Sequence, residues 1–300
     1  MGMEDIVVCE NCGIVMKQVY YNLRHREKID IYRCPTCKLT WAPELNINIS
    51  FRSRLDEESR ERALKKIRLE ESVQVNKLIE KYVQKGGKGL DVGCAYGWYM
   101  KSASDLYEME GIEPEDSVAE KARAAGYRVY TGFFPWDMPD SAGKYDFLVF
   151  NNVWEHINHT SKLIKESVGF LKCGGIMVIT VPLSVGGLYK ISELFEKMGR
   201  TKELTRLWQL HFHSPHIYYF TKKNLSELME RNHCTLLECR DIRGIDPKRM
   251  KERFEMDEDE KHGGLKARVF QLAYPFIKRF PADKAIFVFR YNGEGETYAV

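Results

Sequence analysis

Leu90-Asp91-Val92-Gly93-Cys94-Ala95-Tyr96-Gly97 is the stretch of the sequence that decides the fold. Its apolar residues predict a short strand over 89–93, and its glycines predict a tight turn into a helix over 98–107. A second strand, predicted over 109–113, ends in Glu113, 22 positions after Asp91. A carboxylate in that place can accept hydrogen bonds from a ribose diol, so the pattern predicts a nucleotide-binding crevice.

A dinucleotide site is the first interpretation of such a crevice. It requires Gly-x-Gly-x-x-Gly, whose backbone amides cradle a pyrophosphate. This chain has Gly93-x-Ala95-x-Gly97 followed directly by Trp98, so the third glycine is missing. Because that glycine allows close packing of helix on strand, the sequence disfavours a pyrophosphate-binding site.

Strands and helices alternate along the chain outward from this crevice. Further strands are predicted over 128–131, 146–151 and 175–181, and helices over 116–125 and 161–171. The strand over 146–151 is strongly apolar, as expected of a strand buried on both faces of a sheet. Residues 235–240 and 285–291 are predicted to form a final antiparallel pair. The fold class is therefore α/β, with an open, mostly parallel, Rossmann-like sheet.

Composition excludes several classes of protein. The 300 residues are 44% hydrophobic and 30% charged, which excludes wholesale disorder. The formal net charge is only +3, so the totals give no strong signal for binding polyanions. The N-terminus has acids where a secretory signal needs basic residues, and the longest apolar run, 176–181, is too short to cross a bilayer. We expect a soluble, cytoplasmic protein with no membrane span.

Four ordered motifs resemble those of class I S-adenosylmethionine-dependent methyltransferases. They are the 90–97 turn, the strand and Glu155-His156 pair within 144–157, the Gly-Gly strand and proline of 171–182, and the His-x-x-Tyr-Phe element that starts at His216. Ala95 replaces a glycine that is common in the first motif. The motifs cover about the middle half of the chain. They are most similar to those of quinone-biosynthesis O-methyltransferases and zinc-carrying sugar methyltransferases, which implies a small-molecule acceptor.

The resemblance implies S-adenosylmethionine as the cofactor, a cation without phosphate groups. Acids and aromatic rings suit such a ligand. By likeness, the 91–97 turn binds the methionine and ribose portions, and Glu113 binds the ribose hydroxyls. Candidate cofactor-binding residues are Asp91, Gly93, Cys94, Ala95, Gly97, Glu113, Phe133, Phe134 and Asn151, and Tyr96 and Trp98 complete the expected aromatic cluster.

The resemblance also places several of these residues, and structural alternatives stay open for some of them. Phe133 and Phe134 would lie at the adenine and Asn151 near the methyl group. The glycines could serve turn geometry alone, and the two phenylalanines could belong to the core. Glu113 could instead cap the helix that follows Pro114.

His156 is the candidate general base for an oxygen or carbon acceptor, because it follows the fourth strand and has a suitable ordinary pKa. The alternative is that Glu155 and His156 orient the next helix. Quinone-family members have acid-x-x-Glu-His here, an arrangement able to bind a metal. This chain has Asn152 at the acid's place, so no catalytic metal is predicted.

A second histidine cluster has a spacing compatible with metal binding. It consists of His211, His213 and His216, with no adjoining carboxylate or cysteine. We favour His216 as part of the cofactor or substrate wall.

Two Cys-x-x-Cys pairs indicate a structural zinc ribbon at the N-terminus. Cys9 and Cys12 are separated from Cys34 and Cys37 by 21 residues, slightly above the usual gap of about 15–20. Each pair presents two thiolates from one turn, and four cysteines leave no open position for catalysis. The intervening residues predict two strands, over 14–21 and 28–33. The alternative is a redox dithiol or a chance pattern.

The predicted domains are a zinc ribbon over 1–48, a helical linker over 49–87 and a methyltransferase domain over 88–300. The linker carries an apolar stripe able to dock, and its charged residues predict a solvated face or a basic edge that meets an anionic substrate. The segments 184–233 and 241–283 are substrate-side insertions.

Three functions compete at this stage. The first is methyl transfer to a sugar-, quinone- or natural-product-like acceptor. The second is an RNA methyltransferase that grips its substrate with the ribbon, which is disfavoured because residues 1–50 carry six basic and six acidic side chains. The third is an inactive zinc-ribbon adaptor, against which the intact 91–97 turn and Glu113 speak.

Overall fold

The computed structural model describes residues 6–24, 28–50, 57–210, 212–243, 247, 250–251 and 263–293. Its strands are β1 (Lys17–Arg24), β2 (Lys28–Arg33), β3 (Thr40–Trp41), β4 (Lys88–Val92), β5 (Glu108–Glu113), β6 (Arg128–Thr131), β7 (Tyr145–Asn151), β8 (Leu171–Pro182), β9 (Tyr218–Tyr219), β10 (Cys234–Ile242) and β11 (Lys284–Tyr291). Its α-helices are α1 (Glu57–Ile79), α2 (Trp98–Ala103), α3 (Asp116–Ala124), α4 (Thr160–Val168), α5 (Gly187–Lys197), α6 (Lys202–Leu207), α7 (Lys222–Glu230) and α8 (Gly263–Ile277), with a 3-10 turn at Trp154–His156.

Seven strands form the central sheet in the order β10-β11-β8-β7-β4-β5-β6. The strands from β8 to β6 are mutually parallel, whereas β11 is antiparallel to both β8 and β10. This confirms the α/β class, the mostly parallel sheet and the final antiparallel pair. The chain order reverses between β4 and β7, and ligands of such sheets bind at the carboxyl ends of strands at a reversal of this kind.

Several predicted element boundaries were wrong, and three of them illustrate why. The predicted helix 161–171 ends at Val168, and Leu171 already pairs with Tyr145 in the sheet. The helix predicted from 98 to 107 ends at Ala103 in a turn. The first ribbon strand starts at Lys17, because the turn after Cys9 extends to Ile14, whose carbonyl accepts a hydrogen bond from the Cys9 amide. In each case a local turn, invisible in the apolar pattern, sets the boundary.

Helix α1 contributes directly to the core. Val75, Leu78 and Ile79 are fully buried in a cluster that includes Phe147 and Val149 of β7. Lys284 of β11 forms an ion pair with Glu71 of the same helix at 2.5 Å. The predicted apolar stripe therefore docks on the central sheet.

The ribbon strands form a second sheet with a strand from the later half of the chain. The order is β1-β2-β3-β9, with Thr40 opposite Tyr219 and Trp41 opposite Tyr218, and all pairs are antiparallel. The fourth strand comes from the segment 184–233, so ribbon and insertion share one sheet. Among the helices that the structure describes, none combines the length and apolarity needed to cross a bilayer.

Candidate functional site: the crevice at the carboxyl edge of the sheet

The turn after β4 has the backbone conformation that its glycines predicted. Gly93 and Gly97 have φ of +67° and +73°, and Ala95 has φ of +45°. A Cβ at Gly93 would lie 2.6 Å from Val153 Cγ2, so no larger residue fits without a shift. The amides of Gly93 and Cys94 both donate to the Ile112 carbonyl, at 2.9 and 3.1 Å. These bonds fix the turn against the end of β5.

Glu113 is held at the end of β5 by two backbone amides. One carboxylate oxygen accepts from Ala95 N at 3.0 Å and the other from Glu115 N at 3.1 Å. Burial raises the pKa of Glu113, and these two hydrogen bonds oppose the rise. The carboxylate therefore joins the 91–97 turn to the loop after β5, at Glu115, the residue just before α3.

Asp91 is the second acid of the crevice and is only 2% exposed. Burial, and then the nearby charge of Glu113, raises its pKa well above the usual range. A cation bound beside two such carboxyl groups would stabilise their charged forms, whereas an anion would raise their pKa values further. The electrostatics of the crevice therefore fit a sulfonium or ammonium ligand and not a pyrophosphate.

A cavity of about 290 Å³ opens at this edge of the sheet. It brings together four of the predicted site residues, which are Gly93, Phe133, Phe134 and His156. Phe134 also belongs to the core, since its ring packs edge-on against Phe150 at a centroid distance of 5.6 Å. Both interpretations of Phe134, ligand wall and core, therefore describe one buried side chain.

The other predicted cofactor residues, Asp91 and Glu113 included, are not among the residues that line the cavity. The Cys94 side chain faces the core beneath the turn. A Cβ atom added at Gly111 would lie 2.7 Å from its Sγ. The amide oxygen of Asn151 accepts a hydrogen bond from Thr180 Oγ1 at 3.1 Å. Ala95 and Gly97 take part through backbone geometry, as described above.

Tyr96 and Trp98, predicted as part of the aromatic cluster, lie elsewhere. Their rings stack on each other at a centroid distance of 5.4 Å. The ammonium groups of Lys121 and Lys65 lie over Tyr96 and Trp98 at 5.1 and 5.5 Å. These rings already have cationic partners on the protein, outside the cavity.

Sequence reasoning missed several lining residues. Gly132 has φ of +143°, and a Cβ there would lie 2.3 Å from Asp137 Cβ, so the loop after β6 needs glycine. Trp136 lies in the same loop and is 49% exposed at the cavity. The run Gly132-Phe133-Phe134-Pro135-Trp136 is the sequence signal that could have identified this wall.

Two more lining residues, Asn46 and Ile47, arrive from the segment that leaves the ribbon. Asn158 donates to the side-chain oxygen of Asn46 at 3.4 Å, and Asn48 N donates to the His213 carbonyl at 2.8 Å. No local sequence pattern predicts these contacts, because the two residues of each pair are more than a hundred positions apart.

Glu155, His156 and His216 lie side by side next to the cavity. Their ligand atoms are within 4.8 Å of one another. Burial raises the pKa of Glu155 to about 8. His156 Nδ1 is 2.8 Å from the Pro215 carbonyl oxygen, and His156 Nε2 is 4.0 Å from Glu155 Oε1. The predicted histidine cluster also includes His211 and His213. His211 lies outside the described residues.

The four predicted ribbon cysteines converge as well. Their Sγ atoms lie within 4.8 Å of one another. The distances are 3.6 Å for Cys9–Cys37, 3.3 Å for Cys12–Cys34 and 3.9 Å for Cys12–Cys37. Four thiolates at 2.3 Å from a tetrahedral zinc ion would be about 3.8 Å apart, so this donor set fits that ion.

Comparison with known proteins identifies the family of this chain. The family model described as a methyltransferase domain matches residues 58–238, more than half of the chain. Among curated proteins, no sequence matches significantly.

Solved structures give the same fold. A chain from the complex between the Haloferax volcanii Trm112 methyltransferase activator and a methyltransferase is 17% identical, with a TM-score of 0.53, over 81% of this chain and 99% of that one. A SAM-dependent methyltransferase from Thermotoga maritima is 15% identical, with a TM-score of 0.50, over 79% and 95%. Phosphoethanolamine N-methyltransferase 2 of Haemonchus contortus, in complex with S-adenosyl-L-methionine, is 14% identical, with a TM-score of 0.52, over 73% and 53%.

The sheet order, the acidic crevice and the family match agree with one another. Together they establish that the chain belongs to the methyltransferase-domain family and is a class I S-adenosylmethionine-dependent methyltransferase.

Proposed function

We propose that this methyltransferase transfers the methyl group of S-adenosylmethionine to an oxygen or carbon atom of a small sugar-, quinone- or natural-product-like acceptor. The observation that carries the proposal is the cavity of about 290 Å³, whose wall includes chain neighbours of two carboxyl groups with raised pKa values, Asp91 and Glu113. That volume suits part of a small ligand better than a polymer. The cofactor, when bound, supplies an electrophilic methyl group.

The cofactor residues follow from the crevice. Asp91 and Glu113 would offer carboxylates to the cationic portion and the ribose hydroxyls, and the 93–97 turn would allow close backbone approach. Phe133 and Trp136 would flank the adenine, since both line the cavity and Trp136 is half exposed there. Asn151 stays assigned to the methyl end, next to Thr180.

The acceptor would enter from the side formed by the ribbon exit. Asn46, Asn158 and His159 are polar residues on that side of the cavity and can orient a hydroxylated ligand. Holding the acceptor in line with the methyl group supplies most of the catalysis that such a displacement needs. The described contacts direct both nitrogens of His156 toward protein atoms, so its role as general base stays a prediction of the sequence.

We further propose that Cys9, Cys12, Cys34 and Cys37 hold one structural zinc ion. The sulfur separations support this, and a small ribbon needs a metal because it cannot build a large core.

Screening metabolite classes with radiolabelled cofactor tests the acceptor assignment. Transfer of label to a low-molecular-weight acceptor is the expected result. Transfer only to RNA, with an affinity that falls steeply with salt, would support the RNA alternative instead.

A further inference from the structure

Three Lewis-basic side chains converge where the 3-10 turn after β7 meets the segment before β9. Glu155 and His156 lie on the 3-10 turn, and His216 comes from a segment 60 positions later. Glu155 Oε1 is 4.0 Å from His156 Nε2 and 4.0 Å from His216 Nε2. All three residues are at least mostly buried, with side chains 1%, 11% and 9% exposed.

Hydrogen bonds fix the tautomer of His156. Its Nδ1 is 2.8 Å from the carbonyl oxygen of Pro215, an acceptor only, so Nδ1 carries the proton. In the neutral ring the lone pair is then on Nε2, the nitrogen that faces Glu155.

The same logic applies to His216. The Tyr219 hydroxyl donates to the Leu207 carbonyl at 2.8 Å, so its oxygen accepts from His216 Nδ1 at 2.9 Å. His216 Nε2 therefore also carries a lone pair. Metal-binding histidines usually donate their other ring N–H to an oxygen in this way, which fixes the ring orientation.

The described residues satisfy the carboxylate of Glu155 only in part. Its Oε2 is buried and has no hydrogen-bond partner among the described residues. A buried carboxylate that faces imidazole lone pairs is unfavourable unless a proton or a metal cation lies between them.

We propose that Glu155, His156 and His216 form a binding site for one divalent transition-metal ion, distinct from the four-cysteine site. Two imidazoles and one carboxylate are a donor set that such ions accept, with coordination positions left open. An ion equidistant from three atoms 4.0 to 4.8 Å apart would lie about 2.3–2.5 Å from each. A closure of a few tenths of an ångström reaches the 2.0–2.2 Å of metal–nitrogen and metal–oxygen bonds.

Gln209 offers a fourth ligand. Its side-chain nitrogen lies 2.6 Å from His216 Nε2 and donates to the lone pair there, so binding of an ion requires this amide to turn away. Rotation of this amide by 180° would place its oxygen there as a neutral donor. Because His156 also lines the cavity, the ion would border the acceptor space and could polarise an acceptor hydroxyl.

Metal stoichiometry tests the site without any acceptor. The metal-free full-length chain is titrated with Co²⁺ alone, followed by near-ultraviolet and visible absorption and by elemental analysis after gel filtration. The four-cysteine site gives a sulfur-to-cobalt charge-transfer band, and a nitrogen–oxygen site gives none. We expect two equivalents to bind, the second without a further increase in the sulfur band.

The variants Glu155→Gln and His216→Gln should weaken the second equivalent by 100-fold or more and leave the first unchanged. His233→Asn is the matched control, since His233 is exposed and its positive φ suits asparagine. It should bind two equivalents.

Binding of one equivalent by the wild type, complete when the sulfur band saturates, would overturn the proposal even if a variant fails to fold. Two equivalents in both variants would overturn it too. Neither outcome bears on methyl transfer, which cofactor calorimetry measures independently.

Discussion

The proposed cofactor crevice and the ribbon-bearing face both lie at strand ends, yet they come from opposite kinds of sequence information. Most of the crevice comes from one continuous stretch, in which Glu113 follows the 91–97 turn and the wall of Phe133 and Trp136 follows soon after. The ribbon face joins residues far apart in the chain. Glu10 contacts Thr160 across 150 positions, and Asn11 contacts Asn224 across 213.

The ribbon face is a dense polar interface. The Glu10 carboxylate, between two cysteines of the ribbon, accepts hydrogen bonds from Thr160 N, Thr160 Oγ1 and the Tyr218 hydroxyl at 3.0–3.1 Å. It also lies 3.2 Å from His159 Nδ1. The Glu10 carboxylate beside Thr160 lies at the N-terminus of α4, where the helix dipole favours a negative charge. His159 is part of the cavity wall, so the ribbon reaches the rim of the crevice.

Two further groups of contacts extend this interface. Asn224 accepts from Asn11 with its carbonyl and donates to the Cys37 carbonyl, both at 3.1 Å. Arg33 of β2 pairs with Glu193 of α5 at 2.6 Å, and Tyr20 also donates to that carboxylate. The comparison teaches that short spacings reveal where a ligand binds, whereas the elements that close the site around it are brought together only by the fold.

Loss of a ribbon cysteine should have the largest effect. We expect Cys37→Ser to remove the zinc and destabilise the chain by about 3–5 kcal/mol, because metal binding supplies folding energy that a small ribbon lacks. Calorimetry with zinc analysis measures both. The exposed Cys173→Ser is the control and should change neither. A melting temperature unchanged in the absence of zinc would show that the shared sheet with β9 holds the ribbon without metal.

Glu113→Ala should weaken cofactor binding next most strongly. Hydrogen bonds to a charged group contribute about 1.5–3 kcal/mol, so the Kd for S-adenosylmethionine should rise about 10- to 100-fold. Titration calorimetry measures it. Glu108→Ala, at the exposed start of the same strand, is the control and should leave the Kd unchanged. Equal Kd values for the two variants would remove Glu113 from the cofactor site.

These two variants address features that the sequence identified unaided. Cysteine spacing and the glycine turn followed by an acid are short-range signals, because one turn of backbone positions all the atoms concerned. The α/β sheet was predictable for the same reason, since each strand is a separate apolar run. Phe134 and Cys94 were harder, because the residue type does not tell which face of the strand end or turn a side chain takes.

The interface was not predictable from any such signal. His216 lies near Glu155 because the next residue, Ile217, donates its amide to the Glu155 carbonyl at 2.7 Å. Asn46 reaches the cavity from the segment that leaves the ribbon. The sequence predicted no catalytic metal at Glu155 and His156, because Asn152 stands where a metal-binding pattern has an acid. A third donor from a distant segment is invisible to an argument from spacing.

Glu10→Ala should have an intermediate effect on the ribbon face. Loss of the carboxylate leaves the donors of Thr160 and Tyr218 unsatisfied, so we expect a destabilisation of about 1–3 kcal/mol. Hydrogen exchange should also speed up at 157–163. Glu44→Ala, an exposed acid beyond the ribbon strands, is the control and should change neither. Unchanged exchange at 157–163 in Glu10→Ala would show that the crevice rim is rigid without the ribbon, which would separate the two regions completely.

The smallest effect we expect is a pH dependence of opposite sign in binding and in folding. The pKa values of Asp91 and Glu113 are raised in the folded chain, chiefly by burial. A cationic cofactor binds the deprotonated carboxylates, so its affinity should fall several-fold as the pH drops through those raised pKa values. The fold should respond in the opposite direction. A group whose pKa is higher folded than unfolded takes up a proton on folding, so its contribution to stability rises as the pH falls from the raised value toward the usual carboxyl range.

Calorimetric Kd values and chemical unfolding of Asp91→Asn and wild type, measured over the same pH series, separate these responses. Asp91→Asn should lose part of the pH dependence in both measurements. If affinity and stability instead fall together and equally in both proteins, ordinary acid destabilisation explains the trend, and the crevice carboxylates do not govern recognition of the cation.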